Sequence, residues 1–409
     1  MEDNMNEKKR ILVAKFGGSN GRICFGKIAK DGSISRSRDI TSGCTEAKTI
    51  IDILERSGKF EIGVLTKILD KDYLPEKYEF YSTLELGHED MEKFFAEKKF
   101  DYMLVINGSI NCFGGAEDAM VPDLCIYRMM HYFPGKIFYC QCDLAINMML
   151  DVYEYISSKP WASKYKREEY DISQKDITMI TQARDLDAHL KEVNKPKMYQ
   201  FRREQLKNFS FERYPVIMPF AHVEKNDSPK YDLGYGGTLR GGRRIKKLVK
   251  YYFGYPDSIS VNLYGKLDDP KLLEAARKAY GDSLKMPELG TICNFVDNGK
   301  VLNQSLATIV IGDEIFERTQ TVQQRVWQAI CANVIAFIDE DLDKEKKFYG
   351  SDECMKRFMY VSNKEDVVKR LNGLKEKPEL RDIILKKQQH IADFDIASWA
   401  NDLAKIIEG

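Results

Sequence analysis

The 409-residue chain has no net charge, because 63 Lys and Arg offset 63 Asp and Glu. That balance excludes a protein that coats nucleic acid by bulk basicity, while leaving room for a local basic groove. No run of about 18 apolar residues occurs, so no membrane-spanning helix is expected. The stretch Met1–Arg10 is polar throughout and lacks the apolar core of a secretory signal. The nine cysteines include no Cys-x-x-Cys pair and none at zinc spacing from a histidine. Cys140 and Cys142 are two apart on an apolar segment, and reduced thiols in a core are the expectation. The five histidines show no mutual spacing that suggests a metal site or a catalytic triad, and internal repeats and low-complexity tracts are lacking.

What is present is the material of a globular α/β protein. With 43% hydrophobic and 31% charged residues, the length suits two or three domains, at about one per 150 residues. Short β-branched runs predict strands at Ile11–Phe16, Tyr102–Ile110, Lys136–Asp143, Asp176–Thr181, Pro215–Ala221, Ser258–Tyr264, Ala307–Gly312, Val334–Asp339 and Phe358–Val361. Several are apolar without alternation, as strands buried on both faces of a parallel sheet are. Amphipathic periodicity between them predicts helices at Glu46–Glu55, Val121–Tyr132, Arg243–Tyr252, Pro270–Tyr280, Gln323–Cys331, Lys364–Leu374, Glu379–His390 and Ile396–Ile407. The polar, aperiodic stretch Ala221–Lys230 breaks the pattern. Two doubly wound domains are expected, at 1–222 and 231–385, with a helix over 386–409 packing back across them. Ligands of such sheets sit at the carboxyl ends of the strands.

Four strand-end junctions carry candidate chemistry. Gly234-Tyr235-Gly236-Gly237-Thr238-Leu239-Arg240-Gly241-Gly242-Arg243-Arg244 runs into a helix, where backbone N–H groups and the helix dipole favour an anion. Arg240 and Arg244, one helical turn apart, can converge on one phosphate. A Gly-rich tight turn with solvated arginines is the plainer reading. A second anion site is expected at the helix start around Arg325, with Gln328 on the same face, and the two arginine sites together would bracket a diphosphate. Asp143 ends an apolar strand, where it can serve as a general base or simply cap a helix. Asp339-Glu340-Asp341-Leu342-Asp343 has the D-x-D spacing of a metal–diphosphate site, but an acidic strand-end turn is preferred.

In order along the chain, Ile106–Gly115, Pro160–Ala162, Tyr235–Arg244, Ile309–Asp313 and Arg325–Asp343 resemble the DNA β-glucosyltransferases of T-even bacteriophages. These glucosylate 5-hydroxymethylcytosine in duplex DNA. The resemblance covers the chain from about Glu46 onward. It implies a GT-B fold, two Rossmann-like domains facing a central cleft, and an inverting UDP-sugar-dependent transferase of the bacterial host cytoplasm. By position, Asp143 matches the general base and Glu46 a sugar-contacting carboxylate. Gly237, Thr238, Arg240, Arg244 and Arg325 match the UDP site, with Gln328 where the family has a glutamate on the ribose. Asn111 and Phe113 match residues near the extruded nucleotide, as a base inside a duplex must leave the stack to react. Lys164, Lys166 and Arg167, and in the second domain Arg243, Lys246, Lys247 and Lys250, are candidate DNA contacts, or else a solvated face. The implied partners are a UDP-sugar and hydroxymethylcytosine DNA, with no membrane and a monomeric chain. No metal is required, although a divalent cation would be compatible. Glucose is the expected sugar; UDP-arabinose, or a small-molecule or glycan acceptor, are the alternatives.

Overall fold

The computed structural model describes residues 8–16, 42–66, 77–86, 90–107, 117–141, 160–181, 185, 187–188, 191, 208–213, 222–237, 239, 244–265, 270–290, 298–322 and 324–409. The chain divides into two compact units. One comprises Met1–Gln182, Asp187–Val216 and Ala397–Gly409, and the other Ala183–Leu186 and Ile217–Ile396.

The first unit is built on a seven-stranded parallel sheet. Its strands are β1 (Lys9–Phe16), β2 (Phe60–Thr66), β3 (Glu79–Ser82), β4 (Tyr102–Asn107), β5 (Lys136–Gln141), β6 (Asp176–Thr181) and β7 (Asn208–Arg213). Helices α1 (Ser42–Ser57), α2 (Thr83–Leu86), α3 (Met91–Lys98) and α4 (Glu117–Tyr132) connect them. The order β3-β2-β1-β4-β5-β6-β7 sends the chain outward from β1 and then back past it, so a switch point falls between β1 and β4. One face buries Leu12, Ala14, Met103, Val105 and Tyr139 against Phe95, Met129 and Phe133 of the helical layer.

The second unit repeats that order in six parallel strands, β10-β9-β8-β11-β12-β13. They are β8 (Tyr231–Gly236), β9 (Val261–Tyr264), β10 (Glu288–Gly290), β11 (Ser305–Val310), β12 (Ile335–Asp339) and β13 (Tyr360–Val361). Its helices are α5 (Ile245–Tyr252), α6 (Lys271–Tyr280), α7 (Asn298–Leu302), α8 (Glu314–Arg318), α9 (Arg325–Cys331), α10 (Glu353–Met359) and α11 (Lys364–Glu376). Every residue of β11 and β12 is buried, as strands covered on both faces must be. Helix α5 buries Leu248, Val249, Tyr251 and Tyr252. The Tyr252 hydroxyl accepts from Ile309 N and donates to Ile309 O, each at 2.8 Å, which ties α5 to the C-terminal end of β11.

Helix α12 (Pro378–Glu408) is one continuous helix where two were expected. The residues between His390 and Ile396 contain no proline or glycine to end it. Gln388 on this helix is buried; its amide accepts from Ala336 N at 2.9 Å and donates to Val334 O at 3.1 Å, beside β12. Strands β2, β3, β7, β8 and β10 were not expected, and Phe358 and Met359 lie in α10 rather than in a strand. The strand expected at Pro215–Ala221 lies outside the described residues, apart from which β6 was read with its observed bounds. No described helix is long and apolar enough to cross a membrane.

Candidate functional site

Two glycines of the expected Gly-rich loop belong to β8 instead. A Cβ on Gly234 would fall 2.1 Å from Ser305 Oγ, and one on Gly236 2.1 Å from Asn298 Oδ1. Glycine there lets β8 lie tightly between its neighbours, and the sequence consequently reads as a loop. The turn proper starts at Gly237, with φ +150°, whose N–H donates to Tyr264 O at 2.9 Å. Gly265, just past β9, has φ +158°, and a Cβ on it would sit 1.9 Å from Gly237 O. Thr238 and Arg240, both expected in the UDP site, lie outside the described residues. Arg244 is half-buried immediately before α5, and its Nε is buried without a hydrogen-bond partner.

Arg325, the first residue of α9, reaches this turn from the connection between β11 and β12. Its Nη1 donates to Gly236 O at 2.9 Å, and its guanidinium lies 4.8 Å from the centroid of the Tyr235 ring. The space it occupies is the space a side chain at position 237 would need, with a Cβ there 2.4 Å from Nη1. Burial pushes the Tyr235 phenol up, but the charges of Arg325 and Arg244 outweigh it and hold the phenol below its ordinary value. The buried Tyr235 hydroxyl has no hydrogen-bond partner, so charge rather than a short contact carries most of the effect. Burial loosens the proton of Arg325, Tyr235 opposes that, and the like charge of Arg244 adds to it. Neither arginine has a carboxylate partner among the described residues. Two guanidiniums gathered at a strand end, without a carboxylate partner among the described residues, are suited to meeting a doubly charged anion.

Gln328 lies one turn along α9 on the same face. It is 3% exposed, and its amide nitrogen has no hydrogen-bond partner. A buried donor left open is costly unless a ligand supplies the acceptor. Trp327 and Ile330 are buried in the core, and Val326 and Ala329 join them.

The D-x-D stretch is structural. Asp339 is wholly buried and accepts from the Tyr251 hydroxyl at 2.9 Å, while Asp343 accepts from Phe348 N at 2.8 Å and from the Tyr360 hydroxyl at 2.5 Å. Glu317, Asp339 and Asp341 each place an oxygen within 4.8 Å of the others, close enough to hold a cation. The cation they hold is Lys247, whose Nζ lies 3.0 Å from Glu317 and 2.5 Å from both aspartates. Burial alone would ease the proton off Lys247, but the carboxylates raise its pKa well above the ordinary lysine range. The expectation that Lys247 contacts DNA is therefore corrected, since its charge is already neutralised. Lys250 lies 4.6 Å from the Tyr251 ring.

In the first unit, Asn111, Phe113 and Asp143 lie outside the described residues. Glu46 falls on α1, but its side chain is not among those described. Lys164 ends a short 3-10 turn, is exposed, and has its Nζ 5.4 Å from the Tyr165 ring. Lys166 is exposed and 4.0 Å from Glu169, a pairing too loose to fix it. Arg167 opens the next 3-10 turn, its side chain likewise outside the described set.

The model of the family "Bacteriophage T4 beta-glucosyltransferase" matches residues 89–207. A curated relative, the DNA beta-glucosyltransferase of Enterobacteria phage T4, is 26% identical over 321 residues, covering 76% of this chain and 83% of its own. A mutant of phage T4 BGT solved with UDP-glucose superposes with a TM-score of 0.70 at 19% identity, over 98% of this chain and 100% of that one. Phage T4 BGT with UDP and Mn2+ gives 0.69, with the same identity and coverage. The chain has the GT-B fold and resembles phage T4 DNA beta-glucosyltransferase in sequence. The order of motifs read from the sequence thus points to the same protein as the fold does. Tyr235, Gly265 and the Lys247 cluster escaped the sequence reading, because each acquires its meaning from residues far away in the chain.

Proposed function

We propose that this chain transfers a sugar, with glucose the simplest candidate, from a UDP-sugar to the hydroxymethyl oxygen of 5-hydroxymethylcytosine in phage DNA in the bacterial host cytoplasm. The observation that carries the reading is the pair Arg244 and Arg325, gathered around Tyr235 and Gly237 with no carboxylate among the described residues to neutralise them. The fold and the curated relative at 26% identity support it.

In this reaction the acceptor oxygen attacks the anomeric carbon in line as the bond to UDP breaks, so the sugar inverts. Asp143, assigned by the sequence resemblance, takes the proton. Charge developing on the departing diphosphate is met by Arg325, Arg244 and Arg240 and by backbone amides of the turn at Gly237 and Thr238. The open amide of Gln328 donates to the nucleoside. Glu46 contacts the sugar, while Asn111 and Phe113 approach the extruded base. Lys164, Lys166 and Arg167 meet the backbone phosphates. A divalent ion finds no natural seat at Glu317, Asp339 and Asp341 while Lys247 occupies their centre.

The test is to incubate the protein with hydroxymethylcytosine duplex and UDP-glucose, digest, and weigh the nucleosides. A gain of one hexose is expected, and Asp143→Asn should abolish it while UDP still binds. A pentose gained only from UDP-arabinose would change the donor, and no gain with any UDP-sugar would overturn the reading.

A further inference from the structure

The two sheets share one strand order, so β1 and β8 occupy equivalent places, each next to its switch point. In the second unit the penultimate residue of that strand is Tyr235, around which the arginines gather. The penultimate residue of β1 is Lys15. It is 1% exposed, and its Nζ has no hydrogen-bond partner and no carboxylate beside it among the described residues. Strand alternation puts it on the face of Ile11 and Val13, opposite Leu12 and Ala14, which lie in the large core cluster. Its partner across the strand pair with β4 is Ile106. On the other side, the register that pairs Ala14 with Leu65 brings it beside Thr66, itself paired with Ser82. Both hydroxyl residues are buried, so a polar row closes the sheet where the chain's direction reverses.

An amine sealed in this way is unfavourable unless something compensates it, and the described residues offer no counter-charge. Its place is where open parallel sheets take ligands. We propose that the crevice at the β1–β4 switch point receives a small anionic group, a carboxylate or phosphate carried by a substrate, with Lys15 as its counter-charge. Because Lys15 is 1% exposed, an entering anion must displace what covers it, which favours a group that can leave the duplex surface over a phosphate held on the outside of an intact duplex. Within the transferase reading, on which the choice of probes rests, two sources remain. They are an acidic transferred sugar and the phosphate of an extruded nucleotide.

Calorimetric titration of the full chain and its Lys15→Met variant separates them, with UDP-glucose, UDP-glucuronate and 5-hydroxymethyldeoxycytidine 5′-monophosphate as probes. An acidic sugar predicts that the wild type binds UDP-glucuronate at least tenfold more tightly than UDP-glucose, and that Lys15→Met abolishes the preference. An extruded phosphate predicts that the variant loses at least tenfold on the mononucleotide while the two UDP-sugars are unchanged. Either result comes with a higher melting temperature for the ligand-free variant, because an uncompensated buried amine has been removed. Equal binding of all three probes by both proteins, within twofold, overturns the proposal. UDP alone, which engages the arginines of the other unit, is the control that tells this failure from failure of the transferase reading.

Discussion

The guanidinium of Arg325 rests 4.8 Å from the centre of the Tyr235 ring, with its Nη1 anchored 2.9 Å from the Gly236 carbonyl. A planar cation held on an aromatic face and fixed by a backbone acceptor has little freedom left to lose when a phosphate arrives. That rigidity separates arginine from lysine here. Arg325→Lys is expected to bind UDP at least tenfold more weakly, and Arg325→Ala about tenfold to a hundredfold more weakly, as the loss of about 1.5–3 kcal/mol for a charged hydrogen bond implies. Calorimetry with UDP reads both, and a lysine variant that binds like the wild type would remove the fork geometry from the account.

Gly237→Ala tests the same contact from the other side. The new Cβ would press on the Arg325 guanidinium, the far end of a flexible side chain, and the φ of +150° would be strained by about 1–3 kcal/mol. The guanidinium yields more readily than the backbone. Affinity for UDP should therefore fall at least tenfold, with the fold kept, as circular dichroism would show. Unchanged affinity would mean that the ligand does not depend on where Arg325 sits.

The depressed phenol of Tyr235 offers a reading that needs no turnover. The two arginine charges favour the phenolate, so one tyrosine should ionise ahead of the rest as pH rises. Burial pushes Tyr251, Tyr252 and Tyr349 the opposite way. Ultraviolet titration should show the early phenol in the wild type and lose it in Tyr235→Phe. Arg325→Ala should move it upward, as should UDP, whose phosphates neutralise the guanidiniums. An early phenol indifferent to UDP would place the nucleotide elsewhere.

Lys247→Met leaves Glu317, Asp339 and Asp341 facing one another with Asp339 wholly buried. Stripping a buried ion group of its partner costs about 3–5 kcal/mol. The pH dependence has a definite sign. Lys247 depresses the Asp341 carboxyl in the fold, so its contribution is present above the unfolded value near 4 and is lost as pH falls through the folded one. In the variant, mutual repulsion raises the carboxyls instead, so mild acid should stabilise it while destabilising the wild type. Chemical denaturation between roughly pH 3 and 7 distinguishes the two slopes.

Lys164 and Lys166 are exposed, which is the condition for meeting a DNA phosphate. Each replaced by alanine should weaken duplex binding uniformly across sequences and lower the slope of log affinity against log salt by about one. A slope unchanged in the double variant would return both to the solvated face.

How much of this was legible beforehand follows from what each residue needs. Strands β6, β11 and β12 were found because short runs rich in apolar and β-branched residues need no partner to be recognised. Helix α5 kept its reading because its apolar stripe and the glycines before it are local signals. Strand β8 was missed because its glycines answer to Ser305 and Asn298, about 60 to 70 residues away, by the same close-packing logic that sets helix–strand spacing. Lys247 was read as a free basic residue because nothing nearby announces that 317, 339 and 341 converge on it. Arg325 and Gln328 were placed correctly on one face of one helix, but Tyr235, the surface against which Arg325 is set, was seen only as a spacer between glycines.

The contact of Gly265 with the carbonyl of Gly237 has a consequence for redesign. The loop after β8 cannot be transplanted alone. An engineer who grafts a different donor-binding turn onto this scaffold must carry the end of β9 with it, because the two turns are cut to one another's outline.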